Sequence, residues 1–188
     1  MSGEPAALEG RDSTRTEATG DNGHLQIAVV GAAACDAEYE RLATAVGHEI
    51  AACGAVLLCG GRGGVMAAAS AGARAAGGLV VGVLPGADAR SSAPNPHLDV
   101  ALFTGLGQAR NVVLTLSAHA VVAVGGGWGT LSEIALALKQ RVPVVLLASW
   151  SLARPDGLAD PLLQRAVSPA DAVATAVRLG TRRREGRL

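Results

Sequence analysis

The stretch Gly125-Gly126-Gly127-Trp128-Gly129-Thr130-Leu131-Ser132-Glu133 holds four glycines in five positions ahead of a Thr-x-x-Glu run. It sits between an apolar run, Ala120-Val121-Val122-Ala123-Val124, that reads as a buried strand and a segment, Ile134 to Lys139, that reads as a helix. A strand that breaks on glycines and resumes as a helix presents bare backbone N–H groups at the positive end of a helix dipole, and phosphate is the anion such a place attracts. Gly125, Gly126, Gly127, Trp128, Gly129 and Thr130 are therefore candidate phosphate or ligand contacts. Thr130 to Glu133 also spells a capping box, in which Glu133 reaches back to the Thr130 N–H. That leaves Glu133 two roles, helix cap or ligand-facing carboxylate.

A second loop of the same construction, Gly60-Gly61-Arg62-Gly63-Gly64, follows another apolar run. Two such loops in one small domain carry more weight than one. Gly60, Gly61, Arg62 and Gly63 join the candidates, with Arg62 either a surface charge or an anion contact. Gly31 ends a third apolar run. Trp128 is suited equally to stacking on a ring and to filling an interface. Arg110, early in a helix that feeds the opening strand, reads on composition alone as a solvated helix charge. His24, His48, His97 and His119 match no metal spacing, and no metal is expected. Ser117 and Ser132 have no base near in sequence, so no nucleophile is assigned.

These loops need rigid elements to hold them. Strands are expected at Leu25–Val30, Ala55–Cys59, Leu79–Leu84, Val100–Phe103, Ala120–Val124 and Val142–Leu147. Helices are expected from about Asp36 to Cys53, Val65 to Ala76, Leu106 to Ser117, after the 125–130 loop, and from Pro169 to about Leu179 with Ser168 as N-cap. A loop holding Pro94 and Pro96, over 87–97, is expected to be mobile, and a short helical piece is expected after Pro161. Continuously apolar strands alternating with helices imply an α/β domain: a mostly parallel sheet with helices on both faces. In such sheets ligands sit beyond the carboxyl ends of the strands, where strand order reverses.

The chain of 188 residues suits one domain, expected over 24–180, between a disordered tail (1–23) and a basic, fraying C-terminal tail (181–188). With aromatics at 2%, the core must be built from Val, Leu, Ile and Ala. Zero net charge gives no argument for nucleic acid or a charged membrane. Residues 1–23 lack the apolar core of a signal peptide, and no apolar run reaches the roughly 20 residues of a membrane span. Cys35, Cys53 and Cys59 are odd in number and suit a reduced, cytoplasmic protein. A P-loop is absent, since no Gly-Lys pair occurs, and the exit of the first strand, Gly31-Ala32-Ala33-Ala34, is not the dinucleotide fingerprint.

Taken together, Gly60-Gly61-Arg62-Gly63-Gly64-Val65-Met66, Ala109-Arg110-Asn111 and the run from Val124 to Leu138 resemble the LOG (Lonely Guy)-like Rossmann superfamily, in order and spacing from about Leu25 to Leu179. The resemblance implies a single Rossmann-like three-layer domain. That superfamily includes phosphoribohydrolases, which split a nucleoside 5′-monophosphate into free base and ribose 5-phosphate, and molybdenum-cofactor carriers. Other members bear the label "possible lysine decarboxylase". The hydrolases carry Pro-Gly-Gly-x-Gly-Thr-x-x-Glu and an upstream Arg-Lys pair, with the Arg and Glu catalytic. Arg110 and Glu133 occupy the matching places. Here Gly125 to Gly127 stand where the hydrolases have Pro-Gly-Gly, and Asn111 stands in place of the Lys. Both departures look more like the carrier branch.

The resemblance thus implies a phosphorylated, nucleotide-like ligand, either molybdenum cofactor as cargo or a nucleoside monophosphate as substrate. A nucleotide-sensing or structural subunit is the third reading. No resident cofactor is required, and the likeness implies a homo-oligomer, dimer or tetramer. Pyridoxal phosphate is not expected. It needs a lysine, and Lys139, the only one, lies nine residues past Thr130 on the same expected helix, roughly 13 Å away.

Overall fold

The computed structural model describes residues 23–188 apart from 155 and 159. The tail expected over 1–23 lies outside the described residues save Gly23. Seven strands, β1 (Gln26–Gly31), β2 (Val56–Cys59), β3 (Val80–Leu84), β4 (Val100–Phe103), β5 (Ala120–Val124), β6 (Val144–Leu147) and β7 (Leu163–Ala166), form one parallel sheet in the order β4-β3-β2-β1-β5-β6-β7. Five helices cover it: α1 (Ala37–Ala52), α2 (Val65–Ala75), α3 (Arg110–Ser117), α4 (Trp128–Lys139) and α5 (Pro169–Arg184).

Because every residue of β2 and β5 is buried, alternate side chains must find partners on opposite faces. Ile27, Val29, Leu57, Val122 and Val124 pack against α1, α2 and α5. Ala28, Val30, Leu58, Val121 and Ala123 pack against α3 and α4 through Leu114, Ile134 and Ala137. The split follows from handedness. From β1 the chain steps through β2 and β3 toward one edge, and from β5 it steps through β6 toward the other. Right-handed crossovers travelling in opposite directions put their helices on opposite faces. The reversal falls between the neighbours β1 and β5, paired Gly31 to Val124 at their carboxyl ends.

Three expectations need correction. Directly after Pro161 the chain forms a strand where a short helical piece was expected. Leu163–Ala166 pairs with β6 as the edge strand β7, because the open side of β6 offers a row of backbone partners. The last helix does not fray after Leu179 but runs to Arg184. Its arginines hold the helix end: Arg183 Nε donates to the Arg141 carbonyl, in the turn after α4, at 3.2 Å, and cations suit the negative pole of the dipole. Thr130 is not an N-cap either. The N-cap is three residues earlier, at Gly127, with no side-chain cap. By contrast Ser168 does cap α5, accepting from the Asp171 N–H at 3.2 Å, with Pro169 at the first helical position.

Helices α1 and α2 touch backbone to backbone. A Cβ on Gly47 would run into the Ala69 carbonyl, and one on Gly72 into the Thr44 carbonyl. This contact seats α2, and with it the second glycine loop, against the sheet. Gly47→Ala is expected to cost on the order of 2–3 kcal/mol in urea unfolding, by forcing two packed helices apart. A loss below about 0.5 kcal/mol would show that the contact yields freely.

Candidate functional site

A cleft of about 420 Å³ opens at the β1–β5 reversal. The exit of β1 (Gly31, Ala32, Ala33) forms its back, with Arg62 and Met66 from the second glycine loop and the start of α2. Pro85, Gly107 and Gln108 close one side. Arg110 and Asn111 come from α3, and Gly127, Gly129, Thr130, Ser132 and Glu133 from α4. A larger cavity of about 740 Å³ lies under the 152–161 loop against β6 and β7, but it contains none of these residues and is lined largely by apolar side chains. The chemistry points to the smaller one.

The glycines of the opening loop divide by what the fold asks of them. Gly125 and Gly126 have φ of 55° and 111°, and side chains there would meet Tyr39 and Thr130. Packing and backbone require them to be glycine. Gly127 and Gly129 have ordinary backbone, and a Cβ on either would meet nothing within 4 Å. The fold makes no steric demand for glycine at either position, and both line the cleft. The first backbone bond of the helix runs from the Leu131 N–H to the Gly127 carbonyl at 3.0 Å. The N–H groups of Trp128, Gly129 and Thr130 consequently have no acceptor among the described residues, as at any uncapped helix start.

Arg110 corrects the bland reading: it is not a solvated helix charge but only 8% exposed. Its Nη1 donates to Glu133 Oε1 at 3.3 Å, and Glu133 is itself 7% exposed. The carboxyl proposed as a capping-box member is therefore engaged across the cleft floor by α3, not by its own helix start. Gly60 supports the arginine, since a Cβ there would stand 2.6 Å from Arg110 Nη2 and 2.8 Å from Met66 Sδ. Burial pushes the Glu133 carboxyl above the ordinary glutamate range; the Arg110 charge and hydrogen bond pull it down but do not cancel the rise. Arg110 Nε and Asn111 Oδ1 are buried with no partner among the described residues, so the fold alone does not satisfy them.

Of the other residues singled out in the sequence, Gly31 and Arg62 line the cleft, while Gly60, Gly61, Gly63, Gly125 and Gly126 shape it from behind. Trp128 is outside the wall, 79% exposed, with its ring 5.3 Å from that of Trp150. Lys139 ends α4, at the opposite pole from the cleft. No group of three or more His, Cys, Asp or Glu among the described residues has metal-holding geometry. Asn95 was missed. The 87–97 segment, expected to be mobile, is pinned at Asn95, whose N–H donates to the Gly61 carbonyl at 2.9 Å and whose Nδ2 donates to the Arg62 carbonyl at 3.2 Å. The signal lay in Pro94-Asn95-Pro96, where two prolines stiffen an Asx turn.

A parallel sheet between two helix layers, with a glycine-lined cleft at its reversal point, is an α/β domain of the Rossmann kind. More specifically, residues 24–176 match the SLOG cluster4 family, and the chain belongs to that family. It is 48% identical over 123 residues to an uncharacterized protein of Archaeoglobus fulgidus, covering 65% of this chain and 80% of that one. Its fold is similar to the molybdenum cofactor binding protein of Rippkaea orientalis, with TM-score 0.76 and 37% identity over 85% of this chain and 99% of the other. The molybdenum cofactor carrier protein of Chlamydomonas reinhardtii superposes with TM-score 0.73 at 38% identity, over 83% of this chain and 98% of the other.

Replacing Arg110 by Met strands a buried carboxylate. At pH 8 the variant is expected to lose on the order of 3 kcal/mol of stability. The loss shrinks as pH falls, because Glu133, raised further without its counter-ion, takes up a proton and stops opposing the fold. Unfolding midpoints at pH 8 and pH 5.5, with the Glu133 carboxyl followed by carbon NMR, measure this. A penalty independent of pH would place the pair outside the stability balance.

Proposed function

We propose that this chain binds molybdenum cofactor, a phosphorylated pterin, as cargo, with the phosphate on the N–H groups of Trp128, Gly129 and Thr130 and the Thr130 hydroxyl. The observation that carries this reading is that Gly127 and Gly129 are glycines the packing does not require, at an uncapped helix start that opens into a cleft. Arg62 and Arg110 set two positive charges against the single carboxylate of Glu133 along the cleft wall, which favours an anion. Two relatives similar over nearly their whole length are described as molybdenum cofactor binding or carrier proteins, which supports the cargo. Three free cysteines support a reducing compartment such as the cytoplasm. Exposed Leu106, Val112, Val113 and Leu116 on and before α3 support a homo-oligomer packed on that face.

Native mass spectrometry of the protein purified from a cofactor-producing host is expected to show a multimer with a bound pterin. Gly129→Ala, purified alongside, is expected to keep or slightly raise its melting temperature, since alanine favours helix, yet to arrive empty. A wild-type chain that flies as an empty monomer, or an alanine variant equally loaded, would count against the assignment.

One observation favours a second reading, nucleoside monophosphate hydrolysis: Glu133 faces the cleft as a buried carboxyl held by Arg110. A carboxylate there would stabilise positive charge developing on a ribose. Glu133 is, however, the only acidic side chain on the cleft wall. Incubation with AMP distinguishes the readings. Hydrolysis would release adenine in wild type and fall at least a hundredfold in Glu133→Gln, whereas a carrier releases none from either.

A further inference from the structure

Among the described residues, one cation on the cleft lining has no protein partner. Arg110 is buried and committed to Glu133, but Arg62 is exposed, and its guanidinium makes no ion pair or hydrogen bond among the described residues. It rises from the second glycine loop, across the cleft from the start of α4. A charged side chain on a loop of glycines is poorly aimed unless the loop itself is held.

The loop is held on two sides. On one side the β1 exit grips it: the Val65 N–H donates to the Ala32 carbonyl at 3.1 Å, and a Cβ on Gly63 would approach the Ala33 carbonyl at 3.1 Å. On the other side stands Asn95, 9% exposed, on a segment more than thirty residues away in sequence. Its backbone N–H and its side-chain Nδ2 take the carbonyls of the consecutive residues Gly61 and Arg62. Its own Oδ1 accepts from the His97 N–H at 3.0 Å, which locks its side chain. Gly61, at φ 72°, turns the loop; its carbonyl and that of Arg62 both meet Asn95, while Arg62 itself is exposed and lines the cleft.

We propose that Asn95 is a positioning residue for ligand binding: by holding the Gly61–Arg62 backbone it aims Arg62 at the anion seated on the start of α4, making the cradle two-sided. The proposal rests on the phosphate-binding reading above. It concerns the anion alone and is indifferent to what the phosphate carries.

The test is a double-mutant cycle on anion affinity, with inorganic phosphate as the probe and the amide signals of Gly129 and Thr130 as the readout. Asn95→Ser is the chosen variant because a serine keeps a turn-forming oxygen for His97 but cannot reach the Arg62 carbonyl. Arg62→Gln is expected to weaken phosphate binding about fivefold to tenfold, and Asn95→Ser by nearly as much. With Arg62 already replaced, adding Asn95→Ser is expected to change the affinity less than twofold, because its effect runs through that guanidinium. Asn95→Ser weakening binding by the same factor with and without Arg62 would show general loosening and overturn the proposal, as would an unchanged affinity in the single variant. Amides that fail to respond in the wild-type chain would instead remove the anion cradle itself, and the positioning role with it. A cradle that responds but is insensitive to Arg62 would leave the first reading standing and refute this one.

Discussion

The handedness of strand crossovers governs this molecule. Parallel strands buried on both faces need helices on both, and right-handed connections can supply them only if the chain changes its direction of travel across the sheet. That change leaves β1 and β5 side by side with helices departing to opposite faces, so no helix covers their carboxyl ends. The opening is a by-product of topology. What fills it is chemistry: glycines on α4, an arginine on α3 and a second glycine loop after β2, all delivered to the same place by strands in register.

Within the cleft two electrostatic arrangements differ in kind. The Arg110–Glu133 pair is buried, joined by one contact of 3.3 Å, and leaves Arg110 Nε unsatisfied. Such a pair contributes modestly to stability while it is whole, and removing either member is expensive. The start of α4 is different. Its charge is partial, spread over backbone groups, and carries no side chain that must be desolvated or ordered. An anion bound at such a helix start costs little reorganisation, and the backbone groups there would recognise a phosphate without regard to what it carries.

Much of this was readable from residue patterns because the patterns are local. A continuous apolar run reports a strand of a parallel sheet, and six of the seven strands were legible on that basis; glycines after such a run report an exit suited to a ligand. β7 was not, since Leu163–Ala166 is short and half-polar and becomes a strand only because β6 has a free edge. The site divides the same way. Gly125 to Thr130 announce themselves by composition. Arg110 looked like an ordinary surface charge, and only resemblance to a family lifted it out, because its burial depends on Gly60 and Met66, distant in sequence and contributed by the β2 exit and α2. The capping-box reading of Thr130 to Glu133 failed for a related reason: a local motif competes with a tertiary partner, and a full positive charge at 3.3 Å outweighs one backbone amide. Asn95 left only a faint trace, its flanking prolines.

The tryptophans add one consequence of a practical kind. The chain has two, and their rings lie 5.3 Å apart, one on the first residue of α4 and the other just beyond β6. Indole emission therefore arises from a single spot on the molecule, beside the open amides. The chain carries its own optical probe at the rim of the cleft, with no label needed and no distant indole to dilute the signal.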